Sequence, residues 1–84
     1  MDRKDLLKRI SSKPEVLGGR PCVAGTRIAA ELILDNLAAG VSHDELLAAY
    51  PTLTDEDIAA VLAFAAELSR MTWEPLTTGA PEGR

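Results

Sequence analysis

The sequence contains few of the residues that build disulfides, metal centres and large cores. Its 84 residues include one Cys, one His, one Phe, one Trp and one Tyr. The single cysteine, Cys22, excludes an internal disulfide and fits a reducing compartment. The lone histidine, His43, cannot assemble a set of metal ligands. Three aromatic residues predict a thin core, so we expect a homodimer that shares core surface.

Long apolar runs are missing as well. No stretch approaches the roughly 20 apolar residues of a membrane-spanning helix. The first ten residues, MDRKDLLKRI, mix charges with leucines and lack the apolar stretch of a signal peptide. We therefore expect a cytoplasmic protein that does not engage a membrane.

No sequence pattern predicts a catalytic site, a phosphate-binding loop or a metal site. The Gly18-Gly19 pair is not followed by the Lys-Ser/Thr of a phosphate-binding loop. The acids at 55–57 point in different directions on a helix, and they complement the helix dipole at its N-terminus. We expect no catalytic residues, no bound metal and no cofactor.

Charge is distributed unevenly along the chain. Residues 1–27 hold seven Lys/Arg and three acids, a net of +4, whereas residues 28–84 hold two Lys/Arg and ten acids, a net of −8. A basic arm on an acidic body is one interpretation, and a charged segment that is simply solvated is the other. If the chain binds DNA, we expect the contacts to come from Lys4, Lys8, Arg9, Lys13, Arg20 and Arg27.

The chain divides into a basic N-terminal segment with short strands (1–28), a three-helix body (29–70) and a flexible tail (71–84). Gly18-Gly19 indicates a turn, and residues 21–23 are typical of a short edge strand because proline is tolerated there. Residues 10–12 are the expected partner strand. An unpaired edge at 21–23 is a further reason to expect a dimer.

Three helices are predicted in the body. The first spans about 29–39 and stops at Gly40. The second begins with Ser42 as cap and Glu45 three residues later, and the third repeats this pattern with Thr54 and Asp57. A turn of about three residues joins the second and third helices, as in a helix-turn-helix unit. The expected buried face of the third helix consists of Ile58, Val61, Leu62, Ala65 and Leu68, with Phe64 at its edge.

The third helix lacks the residues that usually recognise DNA bases. Recognition helices favour Arg, Lys, Asn or Gln near the N-terminus, but this one offers Asp55, Glu56 and Asp57, which would repel phosphates. Its small residues permit close approach of a protein partner, or they are merely good helix formers on the surface. They are Ala59, Ala60, Ala63 and Ala66.

Several segments together resemble a bacterial family catalogued as domain-of-unknown-function family 433. The likeness rests on GRPCVAGTRI at 19–28, Ala-Gly at 39–40, Tyr-Pro at 50–51, the Leu-Thr-x-x-Asp-Ile start of the third helix at 53–58, and the alanines at 65–66. It covers roughly residues 10–67. Ala29 departs from the pattern because the family usually has proline there, so the helix start can shift while the fold is kept.

The resemblance implies a mainly α fold, with a homeodomain-like helix-turn-helix body and a short N-terminal strand pair or hairpin. It also implies the antitoxin of a type II toxin–antitoxin pair, whose toxin is commonly a PIN-like ribonuclease and which often represses its own operon. The alternatives are a stand-alone DNA-binding regulator and a helical dimerisation module.

The tail supplies the expected toxin-binding residues. Trp73 and Leu76 are bulky apolar residues in a segment rich in Pro, Gly and Thr, and Arg70 and Arg84 can pair with the carboxylates of a metal-dependent nuclease. Trp73 could instead fold back on the third helix near Phe64 and Met71.

Overall fold

A computed structural model describes residues 2–71 of the protein. The chain forms a short helix α1 (Arg3–Leu7), a strand β1 (Ile10–Ser11), a 3₁₀ turn at Leu17–Gly19 and a strand β2 (Cys22–Val23). Three helices follow: α2 (Ala30–Ala38), α3 (His43–Ala49) and α4 (Asp55–Met71). The predicted mainly helical fold with a short N-terminal strand pair is confirmed, and the three expected body helices are α2, α3 and α4.

The two strands pair antiparallel, with Ile10 opposite Val23 and Ser11 opposite Cys22. The expected open edge at 21–23 is wrong, because the chain leading into α2 covers it. The Val23 amide donates to the Ile28 carbonyl at 3.0 Å, and the Ala30 amide donates to the Pro21 carbonyl at 2.9 Å. Strand β2 is therefore paired on both sides within one chain, and its edge gives no reason for a dimer.

Local signals set the ends of the helices as predicted. Ser42 and Glu45 form a reciprocal capping box, with the Glu45 amide 3.1 Å from the Ser42 hydroxyl and the Ser42 amide 2.8 Å from the Glu45 carboxylate. Gly40 follows α2 with φ +92°, a conformation that glycine adopts without strain. Tyr50 caps the end of α3 and Thr54 caps α4, which leaves residues 51–53 as the turn between them.

The core lies where α2, α3 and α4 meet the strand pair. Its fully buried large side chains are Ile33, Leu46, Ile58, Val61 and Cys22. Tyr50 and Phe64 pack against it only in part. The core thus contains few large buried side chains, as the composition predicts.

The predicted buried face of α4 is correct at Ile58 and Val61 but wrong at Leu62 and Leu68. Leu62 is 44% exposed and Leu68 is 43% exposed. Asp57 and Ala60 are buried instead, at 6% and 0% exposure. Leu62 is exposed because it lies about 100° around the helix from buried Val61, and Leu68 lies beyond Phe64, the last residue of α4 that packs against the described core.

Candidate functional site

Four of the seven N-terminal cations are paired with acids, and three of these acids belong to the body. Four ion pairs account for them: Arg3 with Glu67 at 3.5 Å, Lys8 with Asp5 at 3.8 Å, Arg9 with Asp57 at 3.0 Å, and Arg20 with Glu31 at 3.4 Å. The charge asymmetry of the sequence is therefore reduced in the fold. Lys4, Lys13 and Arg27 make no ion pair with a described residue.

The pair between Arg9 and Asp57 is the most buried of these. The side chains are 35% and 9% exposed, and the Arg9 guanidinium donates to Asp57 Oδ1. The other carboxylate oxygen accepts the Thr54 amide at 3.0 Å, while the Thr54 hydroxyl accepts the Asp57 amide at 3.2 Å. Asp57 thus caps α4 as predicted and also anchors the segment between α1 and β1. Because it is buried, its charge does not join those of Asp55 and Glu56 on the surface of α4.

The remaining predicted DNA contacts separate into two places. Lys4 lies on α1, exposed and away from the strand pair. Lys13 and Arg27 line a common pocket of about 250 Å³, which we call the Lys13–Arg27 pocket. The pocket's lining consists of Ser11, Lys13, Val16, Gly25, Thr26 and Arg27.

Two hydrogen-bonded turns hold the walls of the Lys13–Arg27 pocket. On one side, the Val16 amide donates to the Lys13 carbonyl at 2.9 Å. On the other, the Thr26 hydroxyl donates to the Val23 carbonyl at 2.8 Å and accepts the Ile28 amide at 3.0 Å. Residues of both turns line the pocket, although Lys13 and Arg27 are 14 residues apart in sequence.

Of the predicted toxin-binding residues, the structure describes only Arg70. Its guanidinium lies 3.0 Å from the Glu67 carboxylate, and its side chain is 58% exposed. Glu67 also pairs with Arg3, whose guanidinium reaches the Ala63 carbonyl at 3.3 Å. Trp73, Leu76 and Arg84 lie outside the described residues.

An apolar stripe along α4 becomes more exposed towards the end of the helix. Val61, Phe64, Leu68 and Met71 follow one another at spacings of three and four residues and so share one face. Val61 is fully buried, Phe64 is partly buried, Leu68 is 43% exposed and Met71 is 76% exposed. We call these four residues the α4 stripe.

Two features of this surface were not predicted from the sequence. The Arg9–Asp57 pair joins residues 48 apart, and no local pattern indicates such a contact. The Lys13–Arg27 pocket does not follow from the strand pairing either, because that register continues to residue 13 opposite residue 20, and Arg27 lies on the turn after β2. Among residues 2–71, no group of three or more His, Cys, Asp or Glu is placed to hold a metal ion. No helix in that range is long and apolar enough to cross a membrane.

Comparison with known proteins places these elements in a family. Residues 10–65 match the family described as "Protein of unknown function (DUF433)". The chain belongs to this family. The match contains both strands, α2, α3 and the first eleven residues of α4.

Two relatives extend the comparison. A crystal structure of a DUF433 member protein from Anabaena variabilis ATCC 29413 is similar with a TM-score of 0.71 and 31% sequence identity, over 81% of this chain and 67% of that one. The uncharacterized protein y4eO of Sinorhizobium fredii (strain NBRC 101917 / NGR234) is 41% identical over 49 residues. Those residues are 58% of this chain but only 22% of y4eO.

Proposed function

We propose that this protein is the antitoxin of a type II toxin–antitoxin pair and that it binds and neutralises a PIN-like ribonuclease in the cytoplasm. The observation that carries the proposal is the graded exposure of the α4 stripe. A helix whose apolar face continues beyond its own core suits insertion into a groove of a partner, which is a common mode of protein recognition. Residues spaced three and four apart are the anchors that this mode uses.

The toxin surface extends from the α4 stripe into the chain that follows it. Arg70 lies on the last turn of α4 beside Met71, and the predicted contacts Trp73, Leu76 and Arg84 come directly after in sequence. Arg70 is held by a single exposed carboxylate, Glu67, so it can exchange this partner for an acid of the nuclease. The proposal therefore combines apolar anchors with charge-assisted hydrogen bonds.

Matched substitutions on α4 test this surface. Leu68→Asp and Met71→Asp should each weaken the complex by about 30-fold or more, since loss of a central anchor costs about 2 kcal/mol. Leu62→Asp is the control, because Leu62 is as exposed as Leu68 (44% against 43%) but lies about 120° around the helix from it. The measurement is co-purification with the toxin encoded by the neighbouring reading frame, followed by inhibition of its RNase activity. Loss of inhibition in Leu62→Asp alone would place the toxin on the other face of α4.

We propose further that α2, α3 and α4 form a homeodomain-like body in which α3, the turn at 51–53 and α4 are a helix-turn-helix unit. DNA binding, including repression of the protein's own operon, is the second candidate function. The unpaired cations Lys4, Lys13 and Arg27 favour it, whereas exposed Asp55 and Glu56 at the start of α4 oppose base reading by that helix. Lys8, Arg9 and Arg20 are predicted contacts that would first have to leave their carboxylate partners.

A homodimer is also proposed. With the edge of β2 covered, the support for it is the thin core together with the exposed apolar side chains Leu17 and Leu32. We expect light scattering at micromolar concentration to give twice the chain mass of 9.0 kDa. A monomer mass would contradict both this proposal and the idea of a helical dimerisation module.

A further inference from the structure

We propose that the Lys13–Arg27 pocket is a binding site for a phosphate group. The inference does not depend on the toxin. If the second candidate function is correct, this pocket is where the protein grips the DNA backbone. Free phosphate or a small phosphorylated molecule offers the same chemistry to the same groups.

Charge is the first argument. Of the eight Lys/Arg among residues 2–71, five are paired with carboxylates, and two of the remaining three line this one pocket. No acid is among the lining residues. An arginine and a lysine on opposite turns combine a planar fork of donors with a point charge, and both are established ways of holding phosphate. The fold has thus left a local positive site on a chain whose net charge is −4.

Neutral donors are the second argument. The backbone amides of Gly25 and Arg27 and the hydroxyl of Ser11 make no hydrogen bond with a described residue. All three belong to residues that line the pocket. Gly25 has φ +79° and nothing within 4 Å of the position a Cβ would take, so the backbone is open to a ligand there. An anion in the pocket would have both charged and neutral donors available.

Rigidity and size are the third argument. Thr26 is fixed by hydrogen bonds from its hydroxyl and its amide to the Val23 carbonyl, and it fixes Ile28 in turn. The donors of this turn are therefore preorganised and need little ordering on binding. A pocket of about 250 Å³ is smaller than the roughly 300–1,000 Å³ that hold drug-sized ligands. One phosphate group is a better match to it than an extended molecule.

Two titrations of the full chain test the site and distinguish the ligand sources. Inorganic phosphate is added at constant ionic strength, with chloride as the compensating anion, and the amide NMR signals of Gly25 and Arg27 are followed. A short DNA duplex is titrated separately at several salt concentrations. Lys13→Gln and Arg27→Gln remove the two pocket charges. Lys4→Gln is the matched control, since it removes an unpaired, exposed charge outside the pocket.

We expect phosphate to shift both amide signals. Each pocket variant should bind inorganic phosphate about tenfold more weakly, because it loses a charge-assisted hydrogen bond to the anion, while Lys4→Gln should change phosphate affinity less than twofold because Lys4 does not line the pocket. Arg27→Lys should recover part of the loss. If DNA uses the pocket, Lys13→Gln should also reduce its salt slope by about one.

The outcomes are decisive in both directions. A response to duplex but not to inorganic phosphate, lost in the pocket variants, supports the site and makes nucleic acid its source. A response to both supports the site for phosphate groups in general. No response to either ligand would overturn the proposal, and so would equal losses of inorganic phosphate affinity in Lys4→Gln and the pocket variants. None of these results bears on toxin binding.

Discussion

Asp57→Ala should lower the free energy of unfolding by about 2–4 kcal/mol, which is among the largest losses expected from one substitution in this protein. The change removes the buried carboxylate that accepts both the Arg9 guanidinium and the Thr54 amide. Hydrogen bonds to charged groups contribute roughly 1.5–3 kcal/mol each, and breaking a buried ion pair costs roughly 3–5 kcal/mol. The expected loss of about 2–4 kcal/mol is smaller than the sum of these contributions, because Arg9 is 35% exposed and water can solvate it.

This loss is large relative to the stability of so small a domain. At roughly 0.05–0.15 kcal/mol per residue, 84 residues carry about 4–13 kcal/mol. Urea denaturation followed by circular dichroism measures the change. Asp55→Ala is the control, since Asp55 is an exposed acid in the same first turn of α4, and it should cost less than about 1 kcal/mol. Equal losses for the two variants would mean that Asp57 acts only through the helix dipole.

A double-mutant cycle with Arg9→Met isolates the contact between the two side chains. The coupling energy should fall within the roughly 0.5–3 kcal/mol found for residues in direct contact. Arg9→Met should also destabilise the protein when no DNA is present, because it leaves Asp57 buried without its cation. Arg9 was predicted to contact DNA. Destabilisation of the DNA-free protein by Arg9→Met would show that Arg9 has a structural role.

The sequence predicted the parts of the fold that depend on neighbouring residues. Ser42 with Glu45 and Thr54 with Asp57 lie three residues apart, so the capping boxes could be recognised directly. The strand pair followed from the turn signal at Gly18-Gly19 and the apolar residues on either side. Gly40 as a stop for α2 followed from the backbone freedom of glycine.

What the sequence could not predict depends on distant contacts and on where the core ends. Periodicity assigns Leu68 to the same face as Val61, but only the packed structure shows that this face leaves the core after Phe64. Arg9 and Lys13 are indistinguishable as charges in a basic segment. The fold pairs the first with Asp57 and leaves the second beside Arg27, which narrows six candidate DNA contacts to one pocket and one exposed lysine.

Shortening the chain to residues 1–69 should abolish toxin neutralisation while leaving the body folded. Among residues 2–71, the last side chain packed against the core is Phe64, and Glu67 remains to pair with Arg3. The one ion pair lost among described residues is Arg70–Glu67, an exposed contact worth less than about 1 kcal/mol. We therefore expect a nearly unchanged melting temperature and no inhibition of the toxin's RNase activity.

A chain of residues 1–78 is the matched control for this truncation. It keeps Arg70, Met71, Trp73 and Leu76 and loses only Arg84 among the proposed contacts. Loss of the charge-assisted hydrogen bond proposed for Arg84 should weaken inhibition of the toxin about tenfold without abolishing it. The comparison separates the apolar anchors from the terminal arginine.

The same pair of truncations separates the two interpretations of Trp73. If Trp73 packs back near Phe64 and Met71, the 1–69 chain should melt well below the 1–78 chain, because a large aromatic side chain is lost from the fold. If Trp73 is a toxin anchor, the two should melt alike and differ only in inhibition. Full neutralisation by the 1–69 chain would confine the toxin contact to the helices: the α4 stripe up to Leu68 would suffice, and the alanine face of α4 would be the next candidate. Ala60 would take no part in that contact because it is fully buried, so the face would consist of Ala59, Ala63 and Ala66.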